Sequence, residues 1–154
     1  MMQLEPVKAL LNADAIIFWS DYGRKAVTES WVQRLNKQIK ELDQVKDYTN
    51  LNIATGRESL IVDTDLDCPE ALQLADKFLP RTELEFGRES TPRAHRLYKV
   101  IDLTQKHTRS YCSFSNDKKA MLVEIRANKH YTMCYGQYDN EEKVVWSTTG
   151  VPTE

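Results

Sequence analysis

Ile61-Val62-Asp63-Thr64-Asp65-Leu66-Asp67 is a β-branched, apolar run that turns acidic toward its C-terminal end. Its composition reads as a strand, and successive strand side chains point to opposite faces. Asp63 and Asp65 therefore project from one face, with Asp67 in the same line. Two carboxylates this close repel unless a proton or a cation lies between them. Hard divalent cations take such oxygen donors, and magnesium sites commonly combine one or two carboxylates with substrate phosphates. Asp67 has a second reading, because an acid just ahead of Pro69 also stabilises the start of a helix. Proline loses nothing at the first helical position. The spacing then gives Ala71, Leu72, Ala75, Phe78 and Leu79 as the helix's buried face, with Pro80 as its stop.

Upstream of this stretch, residues 15–19 (AIIFW) read as a short buried strand, followed by the polar turn SDYGRK. From Thr28, the residues Trp31, Leu35, Ile39, Leu42 and Val45 fall on one stripe and predict a single long helix capped by Thr28 or Ser30. Asn50 to Ile53 is extended, and Thr55-Gly56-Arg57 is a turn. Downstream, a turn around Phe86-Gly87-Arg88 leads into strands expected at 94–101, 109–115, 121–127, 130–135 and 143–147, with a hairpin turn near Asp139-Asn140. Helices come early and antiparallel strands late, which predicts an α+β fold with helices packed on one side of the sheet.

The rest of the chain narrows the class. Its 154 residues fit one domain, 1–154, with 41% hydrophobic and 29% charged residues. No stretch approaches the ~20 apolar residues of a membrane span, and the opening MMQLEPVKALL lacks the pattern of a secretory signal. Cys68, Cys112 and Cys134 form neither a disulfide framework nor a paired metal motif. A cytoplasmic protein with reduced thiols and no membrane partner is expected. A net charge of −2 argues against coating nucleic acid by bulk electrostatics. The distribution is uneven, however. Residues 58–85 carry eight acids against two bases, and residues 86–130 carry ten bases against four acids. Such a pattern suits a site that binds cations and then phosphates, and equally two differently charged solvated faces.

Two further stretches carry chemistry. In Thr91-Pro92-Arg93-Ala94-His95-Arg96-Leu97-Tyr98 one histidine stands among arginines, whose forks match phosphate oxygens; a surface strand with scattered bases has the same look. In Met121-Leu122-Val123-Glu124-Ile125-Arg126-Ala127, alternation puts Met121, Val123 and Ile125 on one face and Leu122, Glu124 and Arg126 on the other. A lone Glu between apolar neighbours is either paired or used. Glu124 is thus a third metal ligand beside a phosphate-binding Arg126, or half of a solvated pair.

An acidic pair, then a histidine, then a carboxylate on a late strand resembles the motif order of the archaeo-eukaryotic primase superfamily. The flanks resemble its bifunctional primase-polymerase domain, found in plasmid, phage and prophage replication proteins. Phe18-Trp19-Ser20-Asp21-Tyr22-Gly23-Arg24-Lys25-Ala26-Val27 and Trp31 look like that family's opening segment. Asn50 to Arg57 resembles the lead-in to its DxD strand, Val62-Asp63-Thr64-Asp65 the DxD motif, His95 its histidine motif and Val123-Glu124 its last carboxylate motif. The likeness runs from about residue 12 to residue 150.

The resemblance implies an RRM-like antiparallel sheet joined to an N-terminal α/β unit, with a catalytic cleft between them. It implies a DNA primase/polymerase, a template-directed nucleotidyltransferase in which Asp63, Asp65 and Glu124 hold Mg2+ or Mn2+. His95 then contacts the nucleoside triphosphate with Arg93, Arg96 or Arg126, and Lys106, Arg109, Lys118 and Lys119 track the DNA template and primer. A helicase or helical accessory domain outside this chain is an implied partner, which makes the chain a possible piece of a longer protein. Two departures stand out. Arg93 sits where the family has a small residue, and Tyr135-Gly136-Gln137-Tyr138-Asp139 replaces a proline-serine-histidine turn. The alternatives are a domain of the same fold that binds nucleic acid or nucleotide without catalysis, and an unrelated metal-dependent phosphoesterase.

Overall fold

The computed structural model describes residues 4–21, 30–46, 49–101, 103, 109–113 and 121–148. In chain order these form α1 (Glu5–Asn12), β1 (Ile17–Asp21), α2 (Trp31–Leu35), β2 (Gln38–Ile39), a 3-10 turn at Leu42–Gln44, β3 (Thr49–Thr55), β4 (Ile61–Leu66) and α3 (Pro69–Phe78). Then follow β5 (Glu85–Arg88), β6 (Thr91–Lys99), β7 (Arg109–Ser113), β8 (Met121–Arg126), β9 (His130–Tyr135) and β10 (Val144–Trp146). The fold is α+β, as expected. Its strands form two sheets, ordered β2-β1-β3-β9 and β10-β5-β6-β4-β8-β7, and every pairing between these strands is antiparallel.

Both sheets feed one apolar core. Ile17, Leu51, Ile53 and Cys134 come from the four-stranded sheet, Ile61, Phe86, Leu97 and Trp146 from the six-stranded sheet, and Val7 and Leu10 from α1. The sheets are stitched where β3 leaves for β4. Thr55 Oγ1 donates to the Ala127 carbonyl at 2.7 Å, and the Arg57 N–H donates to Asn128 Oδ1 at 2.9 Å. Gly56 turns the corner at φ +94, and a Cβ there would lie 2.5 Å from the Asn128 backbone. Only glycine fits so close an approach in that conformation.

One helix is shorter than its periodicity predicts. The stripe from Trp31 to Val45 becomes α2, β2 and the 3-10 turn. Ser30 and Gln33 form a capping box that starts α2. Ile39 then pairs with Ile17 across β1 and is 2% exposed. Burial in a sheet core overrides helical spacing here, because spacing records which residues are apolar and not what they pack against. By contrast, α3 begins where Pro69 predicts, capped by Cys68 Sγ, which accepts from the Ala71 N–H at 3.3 Å. Its expected buried face is only partly covered, since Ala75 is buried while Phe78 is 69% exposed. The residues around Phe86-Gly87-Arg88, expected to turn, instead form β5, with the turn following at Glu89-Ser90.

Candidate functional site

β4 lies between β6 and β8 in the six-stranded sheet, and the register decides the site. Asp65 is opposite His95 on one side and Glu124 on the other; Asp63 is opposite Leu97 and Arg126. Residues facing each other across antiparallel strands share a face. One face therefore carries Ile61, Asp63 and Asp65 along β4, flanked by Leu97 and His95 on β6 and by Arg126 and Glu124 on β8. Ile61 and Leu97 sit in the core, and the same line becomes charged toward the strand end. The apolar-to-acidic gradient of the sequence is thus a gradient from the core to its rim.

These charges are buried. Asp63 is 0% exposed, Glu124 2% and Asp65 6%, with His95 at 8%. His95 Nδ1 lies 3.0 Å from Asp63 Oδ2, 3.6 Å from Asp65 Oδ1 and 3.5 Å from Thr132 Oγ1 of β9. Its ring stacks on Phe86, with centroids 4.8 Å apart, and Phe86 packs in turn against Trp146. Arg126 forks into the carboxylates. Nη2 donates to Asp65 Oδ2 and, at 3.1 Å, to Glu124 Oε2, while Nη1 lies 3.5 Å from Asp63 Oδ2.

Burial pushes the Asp65 carboxyl up to about 6; His95 and Arg126 pull against that shift, while Asp63 and Asp67 add to it. Asp67 is also raised, by burial first and then by Glu124 and Asp63, against Arg126 and His95. Burial disfavours a charged His95, but Asp63 and Asp65 outweigh it, so the imidazole is held above its ordinary value. Arg126 stays protonated, because the three carboxylates overcome the cost of burying it. Burying this many ionic groups is a poor route to stability, and perturbed titration in a cleft makes the cluster a functional-site candidate.

Donor chemistry bears on what the cluster could hold. Asp65, Asp67 and Glu124 each offer a carboxylate oxygen, and these atoms lie within 4.8 Å of one another. An all-oxygen set of this kind fits a hard cation such as Mg2+ or Mn2+. Of the expected trio, Asp65 and Glu124 cluster with Asp67 in this way, whereas Asp63 lies deeper, engaged with His95 and Arg126. Asp67 follows the same alternation as Asp63 and Asp65, but its place before Pro69 equally fits a cap, so only the pairing with β8 tells the two roles apart.

Two arginines expected at the nucleotide are elsewhere. Arg96 is opposite Thr64, on the other face of the sheet from His95. It is 2% exposed and donates to Asp76 of α3 at 2.6 Å, with Glu85 3.5 Å away. Arg93 joins it through Glu85 at 2.6 Å and Asp76 at 2.8 Å. Strand alternation would return Arg93 to the His95 face. Its backbone is instead in the left-handed region at φ 60, where the β5–β6 register shifts, and this turns the side chain outward. Lys106, Lys118 and Lys119 lie outside the described residues, as does the Arg109 side chain.

The carboxylates open into a cleft of about 750 Å³, whose walls include Asp67, Arg88, Arg126, Thr132 and Tyr138. That volume lies within the range of small-molecule sites. In the sequence Arg88 stood only as one of the arginines near His95, and Tyr138 was not singled out. Arg88 lies over the Tyr138 ring at 5.5 Å and donates to Thr91 Oγ1 at 2.9 Å. Tyr138 belongs to the segment 135–139 that departs from the primase pattern, which was the available signal. Burial, and then Asp65, raise its phenol to about 12. Among the described residues no helix is long and apolar enough to cross a membrane. Comparison with known proteins finds no matching family model, no matching curated protein and no matching solved structure.

Proposed function

We propose that this chain is a metal-dependent nucleotidyltransferase that extends a primer on a DNA template, as its resemblance to the primase-polymerase domains implies. The observation that carries the reading is the row His95–Asp65–Glu124 across three adjacent strands, ending at a polar cleft. The three motif residues are far apart in sequence, yet the register aligns them. Asp65, Asp67 and Glu124, with Asp63 behind them, are the residues that would hold Mg2+ or Mn2+. When bound there, such an ion supplies neutralisation of the triphosphate and acidification of the attacking hydroxyl. The chain's own part is to hold the substrate. His95, fixed by Asp63 and Phe86, presents its imidazole beside the carboxylates, and Arg126 presents a planar fork for phosphate oxygens. In the finer fold reading, the six-stranded sheet with α3 is the RRM-like half. The four-stranded sheet is the accompanying unit, completed by the late strand β9.

One observation favours a second reading, a domain that binds nucleic acid or nucleotide without catalysis. Asp63, Asp65 and Glu124 already share Arg126 as a counter-charge. Primer extension separates the two. Purified protein is incubated with labelled primer-template, nucleoside triphosphates and Mg2+ or Mn2+, beside Asp65→Ala and Glu124→Ala. Extension by the wild type alone supports the transferase; binding of DNA or nucleotide with no extension under either metal supports the binder.

A further inference from the structure

Arg126 is bound to two of the three carboxylates that could hold a metal. Its Nη2 bridges Asp65 Oδ2 and Glu124 Oε2, and those two residues supply two of the three clustered carboxylates. It also sits on the open side of them, because its side chain is 24% exposed while those of Asp65 and Glu124 are 8% and 2% exposed. A guanidinium and a divalent cation seated on the same two carboxylates compete, because two like charges that close repel. Across the cleft, Nη1 is already 3.5 Å from Thr132 Oγ1, a neutral neighbour that needs no counter-charge. Among the described side chains no other arginine contacts this cluster. Arg93 and Arg96 are on the opposite face, and Arg88 is tied to Thr91 and to Glu142 at 3.7 Å.

We infer that Arg126 is a displaceable internal cation: it holds the carboxylates together in the metal-free protein, and a divalent ion releases it to bind the substrate's polyphosphate. The identity of the polyphosphate rests on the nucleotidyltransferase reading; the competition at the carboxylates does not. Metal and polyphosphate binding are then linked through one side chain, and by linkage each raises the affinity for the other by the same factor. A free guanidinium fork is matched to phosphate oxygens, so the released arginine gains a partner as it loses the carboxylates.

The test is Mn2+ binding, by titration calorimetry without nucleotide, to the wild type, Arg126→Gln and Arg126→Lys. Arg126→Gln is expected to bind Mn2+ tighter by about 5- to 150-fold, the usual size of a coupling between sites. Arg126→Lys keeps the charge but not the bridging fork, and a partial gain is expected there. Equal or weaker Mn2+ binding in both variants overturns the inference. Tripolyphosphate is the second probe. Mn2+ is expected to raise its affinity in the wild type and to do so less in Arg126→Gln; an undiminished gain counts against the release. Should the variants fold poorly, nitrogen NMR of the wild-type arginine side chains answers alone. The Arg126 guanidinium signals are expected to shift on saturation with Mg2+, and unchanged signals overturn the inference. Primer extension that fails while this coupling persists sinks only the polymerase reading. Failure of the wild type to bind Mn2+ sinks the metal reading and this inference together.

Discussion

Replacing Asp65 by Asn should stabilise the metal-free protein at neutral pH, although it removes a salt-bridged group. The folded carboxyl is raised from 3.8 to about 6, chiefly by burial. A raised folded value means that the group's contribution is fully present below about 3.8 and lost as pH rises through about 6. Each unit is worth about 1.4 kcal/mol, so ionised Asp65 costs the fold about 3 kcal/mol at pH 7.5. Asparagine keeps the shape of the protonated acid and avoids that cost. For a chain of this size about 3 kcal/mol corresponds to about 6–12 °C in Tm. The assay is thermal unfolding of both proteins in chelator from pH 4 to pH 8. The variant should melt higher at pH 7.5, and the gap should close toward pH 4. Saturating Mn2+ should raise the wild-type Tm and leave the variant nearly unmoved. A variant that melts below the wild type at pH 7.5, or a gap that does not change with pH, would refute the reasoning.

His95 titrates in the same direction: its raised value makes its contribution present below 6.5 and lost as pH climbs through the folded value, so a residual slope of that sign should survive in Asp65→Asn and be smaller in the Asp65→Asn/His95→Gln double variant, where the raised Asp67 remains. Removing the buried Arg96 as Arg96→Met should destabilise by about 1–3 kcal/mol in denaturant unfolding, because Glu85 and Asp76 lose a partner while Arg93 at 2.6 Å still compensates Glu85; a loss under about 0.5 kcal/mol would mean Arg93 alone suffices. Arg93→Ala should leave triphosphate affinity unchanged, since its partners Asp76 and Glu85 are on the other face from His95; a marked loss in a binding titration would return Arg93 to the site. Phe78→Ser should shift stability by no more than about 0.5 kcal/mol, as the exposure of that ring implies.

Much of the site was legible because β-strands keep a period of two. Alternation alone put Asp63 and Asp65 on one face, grouped Glu124 with Arg126, and set Ile125 apart, which is 43% exposed. It failed at Arg93, where one residue in the left-handed region reverses the faces. Helical spacing was the weaker guide. It found α3 between Pro69 and Pro80 but overextended α2, because Ile39 serves a sheet at the same interval that would serve a helix.

The sequence by itself determined the elements whose evidence is local: the acidic strand, the helix start at Pro69, the strand-rich second half and the carrier strands of His95 and Glu124. Only the tertiary structure decided the partners. Placing β4 between β6 and β8 brought His95, Asp65 and Glu124 into one row, clustered Asp67 with Asp65 and Glu124, sent Arg93 and Arg96 to α3, and put Arg126 among the carboxylates. Register depends on contacts distant in sequence, and no local pattern records which strand lies beside which.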